Sequence, residues 1–270
     1  MQKVGIIGNG FVGNALYQNL RDKTICRIYD IDPHRSLNSL QETLSQDLIF
    51  ICLPTPMSKN GSCNISILEK FFNGLSKFKQ IIDSKVFIIK STVPIGTTTN
   101  CCLKYGLKVI HNPEFLTARN AVVDFANSDR TVIGGKLETV QILEKFYQKT
   151  FPNTPIIIVK SEESEAIKYI SNVFLAYKVA FFNKVYDLCE ETNMDYQNVL
   201  NGVTADHRIG TSHTQVPGID NDRGFGGTCF PKDLNSLIYQ LDSLGIDSSM
   251  FKEIWKYNKS IRKVIDWIII

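Results

Sequence analysis

The stretch Gly224-Phe225-Gly226-Gly227-Thr228-Cys229-Phe230-Pro231-Lys232-Asp233 combines residue types suited to nucleophilic chemistry. Three glycines precede the cysteine, so no Cβ stops a ligand or another backbone from coming close. Pro231 lacks a backbone N–H and suits the first turn of a helix, and the pattern from Lys232 to Leu244 reads as that helix. Cys229 then stands just before a helix N-terminus, where the dipole favours a thiolate and lowers the thiol pKa. Asp233, four residues on, falls one turn from the sulfur. A buried cysteine in a tight turn is the bland alternative. The flanking Gly, Pro and Asp weigh against it.

A second group of residues is suited to holding a nucleotide. The apolar run Val4 to Gly8 leads into Gly8-Asn9-Gly10-Phe11-Val12-Gly13 and a helical pattern through Leu20. In that context Gly8 makes the turn, Gly10 lets the backbone approach a pyrophosphate, and Gly13 allows close helix–strand packing. Phe11 and Val12 complete the set. The next strand, Ile25 to Tyr29, ends in Asp30, about 20 residues past the first glycine, where an acid takes the ribose hydroxyls of NAD. Arg35 weakens that preference slightly, since a nearby Arg accommodates the 2′-phosphate of NADP.

Positioning these groups takes an alternation of strands and helices. Leu48 to Leu53 is a buried-strand run ending in Pro54-Thr55-Pro56, and Ile65 to Phe78 has helical spacing. Val86 to Lys90 stops at Ser91-Thr92-Val93-Pro94-Ile95-Gly96, and Val109-Ile110 runs into His111-Asn112-Pro113-Glu114. Thr131 to Ile133 and Ile156 to Val159 flank a helix from Leu137 to Lys149. The fold expected is α/β, an N-terminal Rossmann-type doubly wound, mostly parallel sheet with helices on both faces. Such sheets bind ligands at the carboxyl ends of their strands, which gathers the glycine turn, Pro54, Thr55, Ser91, Thr92 and Glu114.

After Lys160 the strand pattern stops. Ser161 is an N-cap followed by Glu162 and Glu163, and a helix to about Thr192 carries Ile167, Ile170, Phe174, Tyr177 and Phe181 at helical spacing. A shorter helix from Tyr196 to Gly202, an irregular loop from Thr204 to Phe225, the Cys229 helix and a last helix from Met250 complete an all-helical domain. The boundary is expected near Lys160, dividing residues 1–160 from 161–270. Lys168 and Asn172 share one face of the long helix among apolar neighbours. The ordinary fate of such a lysine is a solvated face. His111 reads as either a satisfied core histidine or a loop residue.

A net charge of +3 is too small to argue for nucleic acid. The seven cysteines form no C-x-x-C pair and the four histidines show no ligand spacing, so a reduced, cytoplasmic protein without metal is expected. No apolar stretch approaches the roughly 20 residues needed to span a bilayer, and the start of the chain leaves no room for a signal peptide.

NAD with a thiolate suggests oxidation past the aldehyde. A thiolate traps an aldehyde as a thiohemiacetal, a second hydride loss gives a thioester, and water releases the acid. Simple alcohol dehydrogenation needs no such cysteine.

Taken with the glycine turn, Asp30, Arg35, Pro54-Thr55, Ser91 to Gly96, Asn112-Pro113-Glu114-Phe115-Leu116, Glu165 through Asn172, Asp206-His207-Arg208-Ile209-Gly210 and Gly224 to Asp233, the chain resembles the UDP-glucose/GDP-mannose dehydrogenase family. The Cys229 and Arg208 elements look more like the UDP-glucose members than the N-acetylmannosamine ones. The resemblance implies Cys229 as nucleophile, Asp233 in proton transfer, Lys168 and Asn172 as oxyanion donors, and Thr92 with Glu114 on the hydrolytic water. It implies UDP-glucose contacts from Glu114, Phe115, Leu116, Lys168, Asn172, Arg208, Phe225, Gly226 and Cys229, Arg208 from a neighbouring subunit. A homodimer through the helical domain is expected, with the apolar tail Trp267-Ile268-Ile269-Ile270 either packed in its interface or once continuing further. Two departures stand out: Ala118 occupies a position where the family often carries a second acid, and the resemblance covers only part of a family member, without the usual C-terminal UDP-binding domain. These leave open an NAD-binding fragment or subunit without independent turnover, or another nucleotide sugar, GDP-mannose or a UDP-hexosamine.

Overall fold

Val4–Ile7, Leu48–Ile51 and Val86–Ile89 are four-residue runs dominated by aliphatic side chains and buried at every position, as strands covered on both faces must be. In the computed structural model, which describes residues 2–267 and 269–270, they form the middle of a seven-stranded sheet. Ile268 of the apolar tail lies outside the described residues. With β1 (Val4–Ile7), β2 (Cys26–Tyr29), β3 (Leu48–Ile51), β4 (Val86–Ile89), β5 (Lys108–His111), β6 (Thr131–Gly134) and β7 (Ile156–Val159), the strand order is β2-β1-β3-β4-β5-β6-β7. All pairs are parallel except β5 with β6, so the sheet is mostly parallel as expected. The order reverses between β1 and β3, and the glycine turn leaves β1 at that point.

Two apolar layers cover the sheet. Ile6, Phe50, Ile88 and Ile110 pack with Leu16 of α1 (Phe11–Leu20), Phe125 of α6 (Ala121–Ala126) and Phe146 of α7 (Leu137–Thr150). Ile7, Ile49 and Phe87 pack with Leu44 of α2 (Leu40–Leu44), Phe72 of α3 (Ser66–Gly74), Ile82 of α4 (Lys79–Ile82) and Cys101 of α5 (Thr97–Tyr105). The helical spacing from Ile65 to Phe78 is realised as α3 followed by a 3₁₀ turn, Leu75–Phe78.

The chain divides into two compact units, Met1–Thr55 with Asn64–Lys168, and Pro56–Cys63 with Tyr169–Ile270. The division falls later than Lys160 because the first two turns of α8 (Ser161–Glu191) bond to the sheet unit. Ser164 Oγ meets His111 Nδ1 at 2.8 Å, and Glu165 accepts the N–H groups of Gly96 and Thr98 at the start of α5.

In the second unit, Val173, Ala176 and Ala180 of α8 pack against Leu234 and Ile238 of α10 (Phe230–Ser243), with Phe251 and Trp255 of α11 (Ser249–Ile261) alongside. Leu200 of α9 (Tyr196–Thr204) packs on Phe182. Single bridges join Met57 to Cys63 and to Ile269, so the unit is helical apart from these. Trp267 of the tail packs on Trp255 within the unit, ring centroids 5.0 Å apart. Among the described residues no helix is long and apolar enough to cross a membrane.

Candidate functional site

The three glycines of the first turn answer three different constraints. Gly8 has φ +96°, and a Cβ there would fall 2.5 Å from Cys52 O. A Cβ on Gly13 would fall 1.8 Å from Gly8 O, so α1 approaches β1 only through glycine. Gly10 has nothing within 4 Å of its Cβ position, which leaves its backbone open to an incoming group. The first-turn N–H groups of α1, at Phe11, Val12 and Gly13, have no intrahelical acceptor, and no acid sits in that turn. That is a site for a phosphate. Asp30 braces it, taking Asn9 N–H on Oδ2 (2.6 Å) and Asp32 N–H on Oδ1 (2.9 Å). Arg35 lies exposed, 3.6 Å from Asp32. Ser91 donates to Leu53 O (2.6 Å) and Thr55 to Thr92 O (2.7 Å), tying the loops that follow β3 and β4 together. Pro54 stands exposed between them. These residues fit a dinucleotide.

In the same unit, Lys168 Nζ donates to Glu114 O (2.6 Å) and lies 3.1 Å from Glu114 Oε1. Both side chains are under a tenth exposed, so the solvated-face alternative for Lys168 does not apply. Glu114 Oε2 accepts Leu116 N–H at 2.6 Å, and Arg130 and Lys168 lie 4.1 Å and 5.4 Å from the Phe115 ring centroid. Lys90, at the end of β4, is buried and donates to Asn112 Oδ1 (3.1 Å) and Pro113 O (3.3 Å). Tyr147 donates to the same Asn112 oxygen at 2.7 Å. Burial pulls the Lys90 pKa down to about 8 and pushes the neighbouring Cys52 thiol up to about 12. Lys90 is absent from the sequence-derived set; its one signal is a lysine closing a wholly apolar strand.

His111 is the satisfied core histidine. Burial drops its pKa to about 3, so the imidazole is neutral in the fold. An unfolded chain takes up that proton below 6.5, so acidification from about 6.5 towards 3 disfavours the fold by about 1.4 kcal/mol per pH unit through this residue. Burial raises Glu165 to about 7, which acts in the opposite sense between 4.5 and 7. The difference between wild type and His111→Asn isolates the histidine. The cost of that substitution in urea unfolding should shrink as pH falls below 6.5; a pH-independent cost would mean that the folded state also carries the proton.

In the second unit, Cys229 is the N-cap of α10 and is half-buried, with Pro231 in the first turn behind it. Asp233 N–H closes the first helical bond to Cys229 O at 2.8 Å. The Asp233 carboxylate is fully buried, with Asn172 Nδ2 donating to Oδ2 (2.5 Å) and Lys232 Nζ paired with Oδ1. Burial disfavours the Lys232 ammonium, yet Asp233, Cys63 and, to a smaller extent, Cys229 together outweigh it and hold that pKa above its usual value. A cap-position thiol with a locked acid and an ammonium is suited to nucleophilic attack and proton transfer.

Residues 162–260 match the central domain of the UDP-glucose/GDP-mannose dehydrogenase family, and residues 35–151 match that family's NAD binding domain. The chain belongs to this family. It is 30% identical over 303 residues to UDP-glucose 6-dehydrogenase TuaD of Bacillus subtilis, an alignment that takes in 97% of this chain and 64% of the Bacillus protein. To a UDP-glucose 6-dehydrogenase of Rickettsia bellii it is 35% identical, over 81% of this chain and 50% of that one. A UDP-glucose dehydrogenase structure from Pyrobaculum islandicum superposes with a TM-score of 0.86 at 28% identity, covering 96% of this chain and 68% of that one. The chain thus spans less than two thirds of the length of the Bacillus and Rickettsia proteins.

For a chain of the UDP-glucose/GDP-mannose dehydrogenase family, the sequence-derived residues fall into two sets. The glycine turn, Asp30, Thr55, Ser91, Thr92, Glu114, Phe115, Leu116 and Lys168 belong to the sheet unit, while Asn172, Cys229 and Asp233 belong to the helical one. Two residues of the expected substrate set have distinct surroundings. Phe225 is 3% exposed, its ring in the core against Trp255 and Phe230. Arg208 is exposed and forms a two-point pair with Asp206, its loop held by Lys178 Nζ on Ile209 O (2.7 Å). Lys232 was not foreseen, although it adjoins Asp233 in sequence.

Proposed function

We propose that this chain carries the catalytic groups of an NAD-dependent UDP-glucose 6-dehydrogenase, which takes UDP-glucose to UDP-glucuronate in a four-electron oxidation. The observation that carries the reading is Cys229 at the N-cap of α10 with Asp233 locked by Asn172 and Lys232. NAD, when bound, supplies the hydride acceptor for both oxidations. The primary alcohol loses a hydride and a proton to become the aldehyde, and the Cys229 sulfur adds to its carbon. Loss of a second hydride and the hydroxyl proton leaves a thioester, and water cleaves the C–S bond to give the carboxylate and the thiolate. Asn172 and Lys168 stabilise the oxyanion, since the bonds described take two of the three N–H groups of Lys168 and one of the two of Asn172. Asp233 with Lys232 moves the proton, and Glu114 with Thr92 holds the hydrolytic water. Wild-type protein given UDP-glucose and NAD should release two NADH per sugar. No NADH from any nucleotide sugar would end this reading.

A second reading is an NAD-binding subunit or fragment without independent turnover. Calorimetry showing NAD binding without UDP-glucose binding would favour it. The family description also admits GDP-mannose, and a substrate panel followed at the nicotinamide absorbance separates the sugars.

The assembly we propose is a homodimer through α8, whose Ile170, Phe174, Tyr177 and Phe181 are 41–62% exposed on one stripe. These side chains are about half exposed, so covering them is worth on the order of 1 kcal/mol each. Phe174→Glu with Phe181→Glu should convert a dimer to a monomer in sedimentation at micromolar concentration. A wild-type monomer would remove the proposal.

A further inference from the structure

We infer that Asn258 of α11 and Arg262 just beyond it are positioning residues that set the Gly224–Gly226 backbone and, through it, the presentation of Cys229. The inference rests on the proposed role of Cys229 as nucleophile. Every contact involved lies within the second unit.

Asn258 is fully buried, and its one amide satisfies both backbone groups of Phe225: Oδ1 accepts Phe225 N–H at 2.7 Å and Nδ2 donates to Phe225 O at 2.9 Å. It thus acts as a one-residue strand edge. Gly224 N–H donates to Asn183 Oδ1 at 3.1 Å, so the segment is gripped from α8 as well. The glycines record the grip. A Cβ on Gly224, where φ is +69°, would fall 2.3 Å from Asn258 Oδ1. A Cβ on Gly226 would fall 2.0 Å from Arg262 Nη2 and 2.4 Å from Asp266 Oδ1. The buried Arg262 guanidinium is itself fixed, its Nη2 donating to Asp220 (2.8 Å) and Asp266 (3.0 Å).

The grip reaches the nucleophile through aromatic packing. The Phe225 ring stacks on Trp255 of α11 and meets Phe230 edge-on, centroids 6.4 Å apart in both cases. Phe230 is the residue after Cys229 and the first of α10. Shifting Phe225 therefore shifts the helix start that stabilises the thiolate. Asn258 acts through that backbone, which makes it a positioning and not a catalytic residue.

The test uses the full 270-residue chain with Asn258→Asp, which keeps the shape but loses the donor to Phe225 O, and Arg262→Lys, which keeps the charge but loses the fork. The rate at which iodoacetamide labels Cys229, located by peptide mass spectrometry across pH, reports thiol presentation without any turnover. Both variants should label about tenfold more slowly at pH values below the thiol pKa, the factor that matches one unit of that pKa. They should also raise KM for UDP-glucose more than they lower kcat. Folded variants with a lower Tm but wild-type labelling and KM would reduce both residues to structural roles and overturn the inference. If Asn258→Asp fails to fold, the Arg262→Lys profile decides alone. Should wild type make no NADH, the labelling comparison still stands, so failure of the enzyme reading and failure of the positioning role are told apart.

Discussion

Cys229→Ser will make no UDP-glucuronate while leaving the fold intact. Serine is among the better N-cap residues, and Cys229 makes no side-chain cap bond, so the substitution should be neutral or slightly stabilising. The chemical loss is of another size. A serine hydroxyl is a far weaker nucleophile than a thiolate, and removing a nucleophile costs on the order of 10³-fold or more. Steady-state NADH release should fall by at least that factor, and mass spectrometry of the products should show no acid. A variant that makes acid at the wild-type rate would mean that the thioester is not on the path.

The Cys229 prediction was open to sequence reading because its signals are local. Glycine, proline and aspartate crowd within ten residues, as do the turn and strand that frame Gly8 to Gly13. Both patterns survive in the structure because the turn and cap residues that shape a helix start are close together in sequence. What was not legible depends on partners far along the chain. Helix α5 opens with three threonines, whose β-branched side chains are poor helix formers, and its start is held by Glu165 through Gly96 N–H, Thr98 N–H and the Thr98 hydroxyl. The same bonds delay the division of the two units to Lys168. Glycines show the limit most plainly. Gly10 and Gly226 look alike in sequence, each inside a glycine cluster, yet Gly10 faces open space and Gly226 faces Arg262 and Asp266. Composition tells that a side chain is excluded there and leaves unsaid whether a ligand or a neighbour excludes it. Lys90 and Lys232 escaped because a lysine is read as solvated until a buried partner is known.

Lys168→Met is expected to cost about 3–5 kcal/mol of stability, because it strips the ammonium from a carboxylate that stays buried. The Glu114 carboxylate has Leu116 N–H as its remaining bond among those described, so the variant leaves a buried charge with a single donor. Glu114→Gln added to Lys168→Met removes the buried charge and should restore most of the stability in urea unfolding. Activity should not follow. If Lys168 donates to the oxyanion, the double variant stays about 10²–10³-fold below wild type in kcat, the usual loss for one such donor. If Lys168 serves only to neutralise Glu114, turnover returns with stability, apart from whatever the Glu114 carboxylate contributes to the hydrolytic step. Glu114→Gln alone measures that contribution, and it leaves Lys168 with the Glu114 carbonyl as acceptor, which the side-chain change does not touch. A double variant whose kcat equals that of Glu114→Gln would therefore show that the ammonium does no chemistry, and the oxyanion would rest on Asn172.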